Sequence, residues 1–249
     1  MPHVDATRIL LALLLGVIAA VANVVGGLAI VRREWSRAYL KYFLAVGAGF
    51  MLATAFLEMI PESLKLSARA DEVFFLVLGG YLLIHFFEHT VAPHFHFGEE
   101  THHDEMAHSH AGVAAVLGLV IHTFFDGVAI ASGVLVSAAL GGVIFLAVFL
   151  HKLPEGSTVA SVMLASGQSR RVALLSSAIL GTATLPGVGL MYLLRGAVAI
   201  ALPFSAGVTV YVAASDLIAE VNREPAVGMP VLVFLGVLVM LLLKLAFHI

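Results

Sequence analysis

Two stretches of the chain place a histidine and a carboxylate four residues apart: His122-Thr123-Phe124-Phe125-Asp126-Gly127 and His151-Lys152-Leu153-Pro154-Glu155-Gly156. On an α-helix that spacing stacks the two side chains on one face, one turn apart. Imidazole nitrogen combined with carboxylate oxygen suits Zn²⁺, and also Fe²⁺, Mn²⁺ or Cd²⁺, whereas Mg²⁺ and Ca²⁺ would take oxygen throughout. Zinc is the best single choice. The competing use of these residues is glue between helices, through hydrogen bonds and a Lys152–Glu155 ion pair. Such bonds average only about 0.6 kcal/mol within a membrane, so a bound cation explains two histidines and two carboxylates better.

A second constellation is a run of histidines at 93–110. His94, His96, His102, His103, His108 and His110 alternate with Glu99, Glu100, Asp104 and Glu105. Histidine-rich tracts with carboxylates have a metal-binding composition. Six imidazoles are hard to attribute to solubility alone, but no fixed coordination geometry follows. The tract reads as a mobile reservoir or sensor. The chain has no cysteine, which excludes disulfides, thiolate-held zinc and thiol catalysis.

The elements that carry these residues are set by composition. Hydrophobic residues make up 61% of the 249 and charged residues 12%, against about 45–50% and about 25% in soluble domains. A helix crosses the hydrocarbon core with about 20 apolar residues. That length predicts eight spans, at Arg8–Val31, Tyr39–Leu64, Glu72–Thr90, Ala111–Val136, Leu140–Ser166, Val172–Leu194, Ala197–Glu220 and Val227–Phe247. The connections are too short for a soluble domain, so residues 1–249 read as one polytopic membrane unit embedded in the lipid bilayer. A net charge of −3 and the lack of a long basic run exclude nucleic-acid binding. The first span is too long for a signal peptide, and its basic cluster follows rather than precedes it.

Basic residues set the orientation. Arg32, Arg33, Arg37, Lys41, Arg170, Arg171 and Arg223 fall on one side, and Arg8, Lys65, Arg69, Arg195 and Lys244 on the other. The richer side is taken as cytoplasmic, which puts both termini outside and the histidine-rich loop inside.

Both His/carboxylate pairs then fall near the centres of the fourth and fifth spans. Asp126, Lys152 and Glu155 together cost on the order of 9 kcal/mol to insert, which a cation site would offset. Pro154 removes a backbone hydrogen bond from the Leu150 carbonyl, and irregular backbone at that depth is tolerated where it lines a cavity. Gly127 and Gly156, each next to its carboxylate, allow close helix approach. A weak repeat links Leu57-Glu58-Met59-Ile60-Pro61-Glu62 in the second span with Ser215-Asp216-Leu217-Ile218-Ala219-Glu220 in the seventh. Those spans run in opposite directions, as in the inverted repeats of secondary transporters.

The paired motifs, their place in the fourth and fifth of eight spans, and the histidine-rich loop before them resemble the ZIP (Zrt/Irt-like) divalent metal transporters, in a bacterial form. The resemblance covers the whole chain in span count. It implies an all-α fold with a 3+2+3 arrangement, inverted repeats flanking the central pair, and metal moving into the cytoplasm across a bacterial inner membrane. It also implies an elevator-like movement of spans one, four, five and six against two, three, seven and eight. Carried over by motif, His122, Asp126, His151 and Glu155 are the metal ligands. Met51 resembles a soft ligand of the second span, although a core methionine fits it nearly as well. Glu58 and Asp216 are implied to lie on the pathway.

The chain departs from relatives that hold two metals. Thr123 and Lys152 stand where those relatives place polar or acidic ligands, and the sixth span has no acid. Lys152 would repel a second dication and take its place, which leaves a single-metal site. Zn²⁺ is expected as transported substrate, with Cd²⁺, Fe²⁺ and Mn²⁺ as alternatives, and no organic cofactor. A homodimer is left open. The competing functions are an exporter of the cation diffusion facilitator type, an intramembrane zinc hydrolase and a metal-gated receptor. The first usually has six spans and a soluble C-terminal domain, and the second needs an open water position with a dedicated base.

Overall fold

The computed structural model describes residues 6–32, 37–90, 109–222 and 228–247, and every regular element among them is helical. Among the described residues, eight helices are long and apolar enough to cross a membrane: α1 (Ala6–Arg32), α2 (Lys41–Leu66), α3 (Ala70–Thr90), α4 (Ser109–Val136), α5 (Ala138–Ala165), α6 (Arg170–Leu193), α7 (Arg195–Asn222) and α8 (Gly228–Phe247). All eight coincide with the expected spans to within about two residues. Of the histidine-rich tract, His94, His96, His102, His103 and His108 lie outside the described residues. His110 falls in the first turn of α4 rather than in a loop.

The uncharged joint between α4 and α5 is a single residue. Ser137 is extended and its hydroxyl accepts from the Leu140 N–H, capping α5. Two spans of 28 residues can therefore lie side by side without a loop. α5 continues through Pro154 without a break. α6 breaks at Ala183 and restarts at Thr184, which puts Pro186 in the first turn of its second segment, where a missing N–H costs little.

α2 and α7 each contain a π-helical turn, Ala55–Met59 and Val212–Leu217. The N–H of Ile60 donates to Ala55 O, and that of Ile218 to Ala213 O, each five residues back. Such turns occur frequently at functional sites. These two fall on the repeat seen in the sequence and carry Glu58 and Asp216.

Glycine decides which helices touch most closely. A Cβ on Gly156 of α5 would lie 2.0 Å from Asn23 O of α1, and one on Gly26 of α1 would lie 2.1 Å from Leu153 O of α5. The same reciprocal contact joins α4 to α6 through Gly127 and Gly187, α2 to α8 through Gly49 and Gly236, and α3 to α7 through Gly80 and Gly207. Small residues allow backbones to meet in a membrane, where lipid is as apolar as the side chains. α4 and α5 are enclosed by these neighbours. α3 and α8 are the most exposed spans, and their Phe74, Phe75, Phe86, Phe234 and Leu245 face outward, as lipid contact requires.

Candidate metal centre

The two central helices bring their motifs together. His122 Nε2 lies 3.2 Å from Glu155 Oε1 and 3.7 Å from Asp126 Oδ2, and His151 Nε2 lies 3.4 Å from the same Asp126 oxygen. The ligand atoms of His122, His151 and Glu155 all fall within 4.8 Å of one another, a spacing that could hold a metal ion. All four side chains are 97% or more buried. Two imidazoles and two carboxylates thus meet where water does not reach.

The hydrogen bonds around them settle several orientations. His151 Nδ1 lies 3.1 Å from the Ala147 carbonyl. A carbonyl only accepts, so Nδ1 carries the proton and the Nε2 lone pair faces Asp126. His122 has no hydrogen-bond partner at either nitrogen, and its tautomer is not constrained in this way. Glu155 is held on both oxygens: Thr123 Oγ1 donates to Oε1 at 2.7 Å, and Lys152 Nζ and Asn23 Nδ2 donate to Oε2 at 2.5 and 3.3 Å.

Lys152 is wholly buried. Its ammonium lies 2.7 Å from Asp126, 2.5 Å from Glu155 and 2.9 Å from the Thr123 hydroxyl. Hydrogen bonds to Glu155 and Thr123 and an ion pair with Asp126 together offset the burial of this group. One cation against two carboxylates leaves the cluster one negative charge, which a single dication would overcompensate by one. Thr123, expected near the site, is the residue through which Lys152 and Glu155 are also linked.

The remaining expected residues are carried by α2 and α7. Met51 is fully buried in the apolar core that α2 shares with α5 and α7, a setting natural for a core methionine. Glu58 is paired with Lys244 of α8, whose Nζ also donates to the Leu57 carbonyl at 2.8 Å. Lys244, counted from the sequence as a charge of an outer segment, is therefore part of the helix bundle. Asp216 is buried in the π-helical turn of α7, and Tyr211, just before that turn, reaches Glu88 of α3. Glu88 accepts from the Tyr211 hydroxyl at 2.9 Å.

Asn23, Glu88, Lys244 and Tyr211 were not singled out by sequence reasoning. A lone amide in the apolar 27-residue α1 was a signal available for the first. For the others, only the pairing of distant helices gives the polar residue a meaning.

Eight membrane-spanning helices around a buried His/carboxylate cluster define an integral membrane protein built to handle a cation. The family model described as ZIP Zinc transporter matches residues 7–116 and 102–244. The chain belongs to that family, whose members are metal-ion transporters and not enzymes. No curated protein matches it.

Proposed function

We propose that the protein carries zinc, with Fe²⁺, Mn²⁺ and Cd²⁺ as further substrates, through His122, Asp126, His151 and Glu155, one ion at a time and into the cytoplasm. The observation that carries this reading is the place of Lys152. Its ammonium bridges Asp126 and Glu155 at 2.7 and 2.5 Å, as a second dication would, while the two imidazoles remain free for the first. Net cluster charge would otherwise become strongly positive on binding two dications in a low-dielectric interior.

The close contacts support movement in two bodies. All four reciprocal glycine contacts join helices within one of two sets, α1/α4/α5/α6 or α2/α3/α7/α8. Each interhelical hydrogen bond and ion pair described above also stays within one set. Between the sets, a Cβ on Gly47 of α2 would meet Leu150 of α5 at no less than 3.4 Å, ordinary van der Waals distance. Backbones locked by glycine within each set, and joined between sets through apolar side chains, suit an elevator-like displacement. The matched π-helical turns and the glycine pairs support a 3+2+3 arrangement with inverted repeats. The orientation with both termini outside a bacterial inner membrane rests on the distribution of basic residues, and it places the histidine-rich tract in the cytoplasm as a reservoir or sensor.

The test is uptake by purified protein in vesicles that enclose a metal-sensitive dye. Saturable influx down a gradient, with Zn²⁺ outcompeting Mn²⁺, Fe²⁺ and Cd²⁺, is expected. Deleting Phe95–His108, which stops short of α4, lowers the metals bound per chain and leaves uptake measurable. In that background the wild type binds one metal at the centre and Lys152→Asp binds two. Two metals in the former would overturn the single-metal reading.

A further inference from the structure

Asn23 stands in the middle of α1, fully buried, with Nδ2 donating to Glu155 Oε2. A carboxylate accepts hydrogen bonds and donates none, so the amide cannot be turned the other way without setting oxygen against oxygen. The orientation leaves Oδ1 enclosed with no hydrogen-bond partner. Buried polar atoms are nearly always satisfied, so an orphaned acceptor beside a cation site calls for an explanation.

The backbone fixes the depth of this side chain. The Asn23 carbonyl packs onto Gly156, the residue after Glu155, and Ser157 Oγ donates to Gly26 O one turn further along α1. α1 is held against α5 at this level, and the amide stays at the level of the carboxylate it touches. Thr184 occupies the equivalent place in the α4/α6 contact, against Gly127, but with a shorter side chain.

We propose that Asn23 is a further residue of the metal centre: Nδ2 positions Glu155, and Oδ1 supplies a neutral oxygen to the bound cation. The ligand class follows from that oxygen. A carboxamide oxygen is hard, so it favours Mn²⁺, Fe²⁺ and Zn²⁺ over the softer Cd²⁺. The proposal rests on the transport reading of the same site, and its test is chosen to fail separately from that reading.

The chain has no cysteine, so Asn23→Cys introduces a single thiol. Purified Asn23→Cys is titrated with Cd²⁺ and followed in the ultraviolet for thiolate-to-cadmium charge transfer. The band is expected to saturate at one Cd²⁺ per chain, and to be absent in Ala22→Cys, where the thiol lies on a different face of α1. In vesicles, Asn23→Leu is expected to lower the ratio of Mn²⁺ to Cd²⁺ uptake about tenfold, while Asn23→Asp, which keeps an oxygen, preserves it. A residue that served packing alone would depress both metals equally. No band in Asn23→Cys, an equal band in Ala22→Cys, or an unchanged ratio in Asn23→Leu overturns the proposal. If Asn23→Leu does not fold, the charge-transfer band decides alone. A wild type that carries no metal would overturn the transport reading, and the band, read without transport, would still judge Asn23.

Discussion

α4 and α5 carry the same frame and hold it differently. Each presents a histidine, a carboxylate one turn on, and then a glycine that seats an outer helix, α6 for Gly127 and α1 for Gly156. The residue after the histidine breaks the match: Thr123 in α4 and Lys152 in α5. His151 is fixed through Nδ1 to Ala147 O, whereas His122 has no hydrogen-bond partner. Pseudo-symmetry therefore delivers the geometry of a four-residue His/carboxylate cluster, and the positions that depart from it set its charge and how its histidines are held.

The largest effect should come from the frame itself. Asp126→Ala and His151→Ala are each expected to abolish saturable uptake while leaving folded protein in the membrane. Normal transport by both would mean that the shared frame is not the site.

Lys152→Met is next, because it removes the ammonium that bridges two buried carboxylates. Breaking a buried ion pair typically costs about 3–5 kcal/mol, so thermal unfolding of the metal-free protein should fall markedly. Added zinc should then restore more stability than it gives the wild type, by taking over the charge. Equal stabilisation of the two proteins by zinc would show that Lys152 and the metal do not compete for the same carboxylates.

Smaller again is the effect of the glycines. Gly127→Ala and Gly156→Ala each force a methyl into a neighbouring carbonyl, at roughly 1–3 kcal/mol for overpacking of this kind. If the two contacts are true counterparts, the two losses in melting temperature should be similar. A loss confined to one variant would mark the α1/α5 and α4/α6 contacts as unequal. The smallest expected change is Ser137→Ala, which removes the cap between the two helices at a cost of about 1 kcal/mol. It should lower thermal stability slightly and leave the affinity for zinc unchanged.

Much of this is legible in the sequence. The eight spans follow from apolar length, and their ends follow because charges and turn residues cannot be left in lipid. The paired motifs were legible because a four-residue spacing means one helix face whatever the surroundings. Lys152 was readable as a charge beside the cluster, since a residue adjacent to His151 could not sit far from it. The joint at Ser137 was not readable as a cap, because a serine between two apolar runs carries no charge signal. The π-helical turns were also hidden, since an extra residue in one turn leaves the hydrophobic pattern almost unchanged.

The sequence by itself determined that the protein lives in a membrane, that it has eight helices and that two of them bring histidine and carboxylate to the same level. These are properties of composition and of helix periodicity, both local. Only the tertiary structure decided which distant residues reach the cluster and which are claimed by other partners. Asn23 reaches Glu155 across 132 positions, and Lys244 reaches Glu58 across 186. Those pairings depend on which helices glycine allows to approach, and a buried charge takes its partner from whichever backbone lies against its own.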